Sequence, residues 1–233
     1  MAYTKRPDGR KFDELREMEA KVGIIKNADG SAMFRFGDTI AIAAVYGPKP
    51  LHPQHLQNPE KGVLRVNYDM LSFSVTERKK PGPSRRSQEI SKVTEWALAP
   101  VLNLDNYPNT VVDIHISIIQ ANASTRCAGI NAAALALAHA GIEMKDLVCS
   151  VSVGKIDDKI VVDLIKEEED YEDGEGATDI PLAFLPKSGE LSLLQLDGRS
   201  SIEKLKEAIE AGKKACKEIY ELQKKTLKKV GKE

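Results

Sequence analysis

Residues 111–141 read Val-Val-Asp-Ile-His-Ile-Ser-Ile-Ile-Gln, then Ala-Asn-Ala-Ser-Thr-Arg, then Cys-Ala-Gly-Ile-Asn-Ala-Ala-Ala-Leu-Ala-Leu-Ala-His-Ala-Gly. The first ten are β-branched and alternate, which predicts a strand. The last fifteen are apolar on nearly every face until Gly141, which predicts a helix buried all round and stopped by glycine. Ser124 and Thr125 in the polar join are good N-cap residues, and Arg126 falls in the first turn. A helix start carries unpaired N–H groups and partial positive charge, so it attracts anions. A cation there is unfavourable for the helix alone and makes sense with an anion between it and the amides. The other reading is a capped core helix with Arg126 swung to solvent; this stretch alone leaves both open.

Working outward, 233 residues with 42% hydrophobic and 30% charged side chains suffice for one large domain or two fused halves. The net charge of −1 exerts no global pull on nucleic acid, so any such binding needs a local cluster. Three cysteines with no close pairing fit a reducing compartment. No apolar run suits a membrane span and residues 1–10 hold no apolar signal region, so a cytoplasmic location is expected.

Before the central stretch, residues 3–16 read as a polar, basic arm with a turn at Arg6–Arg10. Val22–Ile25, Ser31–Phe36 and Thr39–Tyr46 predict an antiparallel meander, the last strand apolar on both sides and so covered on both faces. His52 and His55 sit in a proline-rich loop, three apart, without further ligands at metal-site spacing. Val63–Val75 predicts another strand. Residues 78–86 hold five basic residues and two prolines, a stiffened cluster suited to phosphate or nucleic acid. A helix is expected from Ser87 to about Asn103, with Ile90, Val93, Trp96, Ala97, Val101 and Leu104 on its apolar stripe.

After it, Leu147–Val153 and Ile160–Leu164 predict a hairpin. Residues 166–179 carry eight acidic side chains of fourteen, a crowding that a divalent cation relieves or that holds one carboxyl protonated. Ile180–Leu185 and Leu191–Leu196 predict strands. Ser201–Val230 predicts a long helix whose seam runs through Ile202, Leu205, Ile209, Gly212, Cys216, Ile219, Leu222, Thr226 and Val230. The order gives one α/β domain of mixed sheets with two inner helices, not a doubly wound fold.

The chain resembles, over nearly its whole length, the RNase PH-like phosphorolytic 3′→5′ exoribonucleases, in the form of the archaeal exosome's catalytic ring subunit. The resemblance rests on Arg-Pro-Asp-Gly-Arg at 6–10, Gly37-Asp38-Thr39, Tyr68-Asp69-Met70, Phe73–Lys79, Pro81–Ser91, Ser124-Thr125-Arg126 and the pair Asp173/Asp179. Ser124 stands where the family usually has glycine. The resemblance implies an α/β chain of the α+β type, an RNase PH-like fold with mixed β-sheets, two inner helices and a long C-terminal helix. It implies a single domain over 1–233 made of two pseudo-repeated halves, about 15–140 and 141–230. It implies that Arg86, Ser124, Thr125 and Arg126 hold inorganic phosphate, the co-substrate, and that Arg65 and Arg85 hold the RNA backbone. Asp173 and Asp179 would be the catalytic carboxylates and would bind Mg²⁺ (or Mn²⁺), with Asp173 given the proton and Asp179 the metal.

The chemistry suits the residues. Phosphate attacks the 3′-terminal phosphodiester of RNA and releases a nucleoside 5′-diphosphate, so two anions must be brought together. Arginines and helix-terminal amides serve the attacking one. Implied partners are the 3′ end of single-stranded RNA, an inactive RNase PH-like paralogue alternating with this chain in a hexameric ring, and an S1/KH-domain cap, with no membrane. A homohexameric enzyme trimming tRNA 3′ ends would carry the same residues, though Phe73–Lys79 and Pro81–Ser91 look more like the exosome type. An inactive ring subunit would have lost the phosphate arginine or the acidic pair, and this chain keeps both. A phosphate- or RNA-binding module without catalysis would show no phosphate-dependent release of nucleoside diphosphates.

Overall fold

Met18–Val22 (β1), Gly30–Phe36 (β2), Thr39–Pro50 (β3), Val63–Met70 (β4) and Thr110–Gln120 (β5) build one sheet in the order β1-β2-β3-β5-β4. Only β4 and β5 are parallel, joined through the helix Arg85–Leu98 (α1). The helix Thr125–His139 (α2) follows β5. Cys149–Ile156 (β6), Lys159–Val162 (β7), Ala177–Leu185 (β8) and Glu190–Leu194 (β9) form a second, antiparallel sheet ordered β7-β6-β8-β9. Lys166–Glu169 (α3) is one short turn, and Ile202–Val230 (α4) closes the chain. This computed structural model describes residues 3–77, 79–174 and 176–230, the last without its side chain. Arg78 of the basic segment, Glu175 of the acidic one and Gly231 and Lys232 of the tail lie outside the described residues.

The central stretch folds as expected. Twelve of the fifteen residues of α2 are buried, because the helix lies between β2 and β3 of the first sheet and β6 of the second. Ile130, Leu135 and Leu137 are fully enclosed, and each such side chain stabilises the fold by roughly 1.5–3 kcal/mol. Beside α2, α1 spans from β4 to β9, so both are inner helices. The outer face of the second sheet is covered by α4. There Gly212 lets the helix approach closely: a Cβ at that point would lie 2.6 Å from Leu182 Cδ1, which would have to move.

Several boundaries differ from expectation. The first strand is Met18–Val22, because Gly23 takes a positive φ. β4 stops at Met70 instead of Val75. α1 begins at Arg85, capped by Ser84, and ends at Leu98 because Pro100 cannot continue it. Trp96 leaves the apolar stripe and is exposed, as is Ile202 on α4. β3 is fully covered on one face and partly on the other: Ala41, Ala43 and Val45 are enclosed, while on the far face Ala44 is buried and Ile40, Ile42 and Tyr46 are half-buried. All three cysteines are free and buried. Among the described residues no helix is long and apolar enough to cross a membrane.

The N-terminal arm is not the solvated tail its charges suggest. Arg6 is 1% exposed. Its guanidinium grips both oxygens of Glu168, at 2.8 Å each, and donates to the carbonyls of Lys11, Glu14, Val162 and Asp163. The Tyr3 hydroxyl donates to the same carboxylate at 2.7 Å. A buried pair of this kind repays its desolvation only when every donor is satisfied, and removal of one partner strands a buried charge. Glu168→Ala should therefore lower the unfolding free energy by about 3–5 kcal/mol in urea titration. A loss below about 1 kcal/mol, the range of an exposed pair, would show that the arm does not hold the second sheet.

Candidate active site

The site forms where β5 gives way to α2. Ala123 and Ser124 both take left-handed backbone, with φ of 56° and 52°. Each such non-glycine residue costs on the order of 1–3 kcal/mol, so the surroundings must impose it. They do so with many bonds. The Thr39 hydroxyl donates to the carbonyls of Asn122 and Ala123 at 2.9 and 2.8 Å and accepts from the Asn122 amide. Arg16 Nη1 donates to the Asn122 carbonyl at 2.6 Å. The Ser124 hydroxyl donates away from the helix, to Asp163 Oδ1 at 3.1 Å and the Leu164 carbonyl at 3.3 Å. Ser124 occupies the N-cap position but its side chain caps nothing. The first-turn amides of α2 are thus left for an external acceptor.

Around that helix start stand two arginines and a phenol. Arg126 Nη1 donates to Gln195 Oε1, and Nη2 lies 3.6 Å from Glu89 Oε2. Gln195 Nε2 in turn donates to Glu89 Oε1 at 2.9 Å, so one clamp joins α1, α2 and the segment after β9. Arg86 projects from the exposed first turn of α1. Both arginines act on Tyr68, whose ring packs against Gly129. Burial pushes the Tyr68 hydroxyl up to about 12, and Thr125, Arg86 and Arg126 pull the other way. That hydroxyl is buried without a hydrogen-bond partner among the described residues; Thr125 adjoins it without completing a well-formed bond.

Asp179 faces this group from β8. It sits opposite Gly154 on β6, exchanges main-chain bonds of 2.9 and 2.8 Å with Asp197, and accepts a hydrogen bond from the Ser152 hydroxyl at Oδ1. Burial, first, raises its carboxyl to about 6; Ser152 opposes the shift, Glu169 and Asp197 add to it, and Arg126 reduces it. Arg126 is therefore close enough to link the helix start to the acid. The carboxylate that bears most on Asp179 is Glu169, half-buried at the end of α3, whereas Asp173 stands on the exposed turn beyond. Among the described residues no three His, Cys, Asp or Glu side chains converge as a ready metal cage, at the two histidines or here.

The expected residues thus separate. Thr125, Arg86 and Arg126 all act on the Tyr68 hydroxyl, Arg126 also acts on Asp179, and the Ser124 hydroxyl turns away from them. Arg85 is exposed beside Arg86. Arg65 lies on the opposite face of the first sheet, its Nε and Nη2 donating to Asp113 at 2.5 and 2.8 Å, with Lys49 on the same carboxylate at 2.9 Å. Tyr68, Ser152, Glu89, Glu169 and Gln195 were not singled out as site residues by sequence reasoning. Only Tyr68 carried a signal, as a polar-tipped residue in an otherwise core-facing register.

The model of the 3′ exoribonuclease family's domain 1 matches residues 14–143, and that of its domain 2 matches residues 146–215. The exosome complex component Rrp41 of Thermococcus kodakarensis is 52% identical over 96% of this chain and 88% of its own length. That of Methanopyrus kandleri is 49% identical over 96% of this chain and 92% of its own. Among solved structures, rice Rrp46 superposes with a TM-score of 0.83 at 28% identity, covering 95% of this chain and all of that one. A chain of the Archaeoglobus fulgidus exosome with RNA in its active site gives 0.78 at 22%, covering 93% and 92%, a likeness of fold. With both domains matched in order and about half its residues shared with archaeal exosome components, the chain belongs to the RNase PH family of 3′ exoribonucleases.

Proposed function

We propose that this chain is the phosphorolytic 3′→5′ exoribonuclease subunit of an archaeal-type exosome, acting in the cytoplasm. The observation that carries the reading is Arg126 at an uncapped helix start, acting at once on the half-buried Asp179. Inorganic phosphate sits against the amides of Thr125 and Arg126, with Arg86 and the Arg126 guanidinium on its oxygens. One of those oxygens attacks the 3′-terminal phosphodiester, the bond to the preceding 3′ oxygen breaks, and a nucleoside 5′-diphosphate leaves. Attack by hydrogen phosphate balances the step, because its proton ends on the released 3′ oxygen. No separate acid is then asked of Asp173, which was expected to supply that proton.

Asp179 and Glu169 would suit a hard cation: both are half-buried, the two repel, and a positive charge near them would relieve both. Mg²⁺ (or Mn²⁺) bound there, completed by substrate oxygens and water, would offset charge on the scissile phosphate. The pair is thus assigned as Glu169 and Asp179, in place of Asp173 and Asp179. Arg85 suits the RNA backbone beside Arg86. Arg65, on the far face of the sheet, suits RNA that has not yet reached α2. Exposed Phe73, Trp96, Leu194 and Leu196 suit contacts with an inactive paralogue in a hexameric ring, with S1/KH proteins as its cap.

The direct test is release of nucleoside diphosphates from a poly(A) oligomer, by the chain alone and with its paralogue, with and without phosphate. Arg126→Glu should abolish phosphate-dependent release while assembly persists; unchanged turnover would remove the phosphate site. Glu169→Gln should cost at least about a hundredfold and Asp173→Asn less than about tenfold in kcat, within the span of single charge-stabilising groups. The reverse ranking would restore Asp173.

Asp179 also sets a pH dependence. Its folded-state carboxyl titrates near 6, above the ordinary 3.8, so its contribution is complete below about pH 4 and is lost as pH rises through 6. In metal-free buffer, Asp179→Asn should gain about 2–3 kcal/mol on the wild type between pH 4 and pH 8. Added Mg²⁺ should raise the melting point of the wild type and not of the variant. A pH-independent difference, or equal Mg²⁺ shifts, would contradict the assignment.

A further inference from the structure

We propose that Asp163 is the positioning residue of the phosphate site, and that Ser124 serves that site through its backbone alone, its hydroxyl being an anchor on Asp163. This rests on the phosphate reading above and goes beyond it. Asp163 directly follows β7, is fully buried, and itself takes left-handed backbone with φ 56°. Its Oδ2 accepts from the Arg16 amide at 3.0 Å and Arg16 Nε at 2.8 Å, and its Oδ1 from Arg16 Nη2 at 2.6 Å. Arg10 Nη1 lies 3.5 Å from Oδ2. The Arg16 guanidinium also reaches the Asn122 carbonyl, so a single group spans the acid and the loop before α2. The Asp163 amide donates to the Ser152 carbonyl at 2.8 Å, and Ser152 is the residue whose hydroxyl donates to Asp179. One buried residue therefore reaches both sides of the site, its carboxylate holding the loop before α2 and its main-chain amide holding β6.

The serine argument is one of proton count. A hydroxyl has a single proton to donate. In Ser124 it is directed at Asp163 and the Leu164 carbonyl, so none is left for a phosphate oxygen. What the anchor achieves is the left-handed turn, which serine resists and glycine adopts freely. That turn sets the direction of the Thr125 and Arg126 amides.

Three variants of the full chain, assayed in the assembly in which the wild type is active, separate the possibilities. Ser124→Ala still resists the left-handed turn and loses the anchor that imposes it, and should raise the KM for phosphate about tenfold with the KM for RNA within about twofold. Ser124→Gly should raise it clearly less, because glycine holds the turn unaided. Asp163→Asn should raise it at least as much as Ser124→Ala. Equal losses in Ser124→Ala and Ser124→Gly would mean that the hydroxyl touches the anion, and would overturn the proposal. So would an unchanged phosphate KM in Asp163→Asn, or losses in kcat and RNA KM that merely follow a fall in Tm. Should Asp163→Asn not fold, the two serine variants still decide. A wild type indifferent to phosphate would instead remove the functional reading itself.

Discussion

The structure depends on a buried helix whose charged side chain and unbonded amides are gathered at its start. α2 is enclosed by two sheets along its length, so nine of its fifteen residues are alanine, leucine or isoleucine. Its macrodipole and its unbonded amides are concentrated at one end. There the chain places Arg126, two left-handed residues and no side-chain cap, an arrangement that stabilises nothing by itself. It is consistent with a fold that spends stability at its site and recovers it in the buried contacts around α2 and the N-terminal arm.

The site's electrostatics follow from what surrounds that helix start. Arg126 is shared between Glu89 on α1 and the field of Asp179 on β8. Asp179 is crowded by Glu169 and Asp197, and Arg126 and the Ser152 hydroxyl oppose them. Positive charge therefore lies on the helix side and excess negative charge on the strand side. On the proposed reading, an anion would lie against the first and a cation against the second. The arm that carries Arg6, Arg10 and Arg16 ties the second sheet to this loop and keeps the two sides in register.

Much of this was legible in the residues. The alternation of 111–120, the all-apolar run and Gly141 defined β5 and α2 because each signal is local. The end of α1 was misread because Pro100 acts on the turns before it, which a stripe of apolar residues does not show. Arg6 looked solvated because its partner Glu168 is 162 residues away. The influence of Glu169 on Asp179 was not legible, since it depends on where the single turn of α3 ends and not on spacing. Ser124 was legible as a departure from glycine; the left-handed backbone explains why glycine is usual there, and Asp163 explains how serine is tolerated. Arg65 was assigned by position in the chain, and the sheet's alternation puts it on the other face from Tyr68.

The central claim is that the first amides of α2 meet free phosphate. Hydrogen exchange at Thr125, Arg126 and Cys127 reads it directly, because those amides lack partners within the helix. Inorganic phosphate added without RNA should slow their exchange while leaving the amides of α4 as they were. Exchange at those three positions unchanged at saturating phosphate would contradict the account.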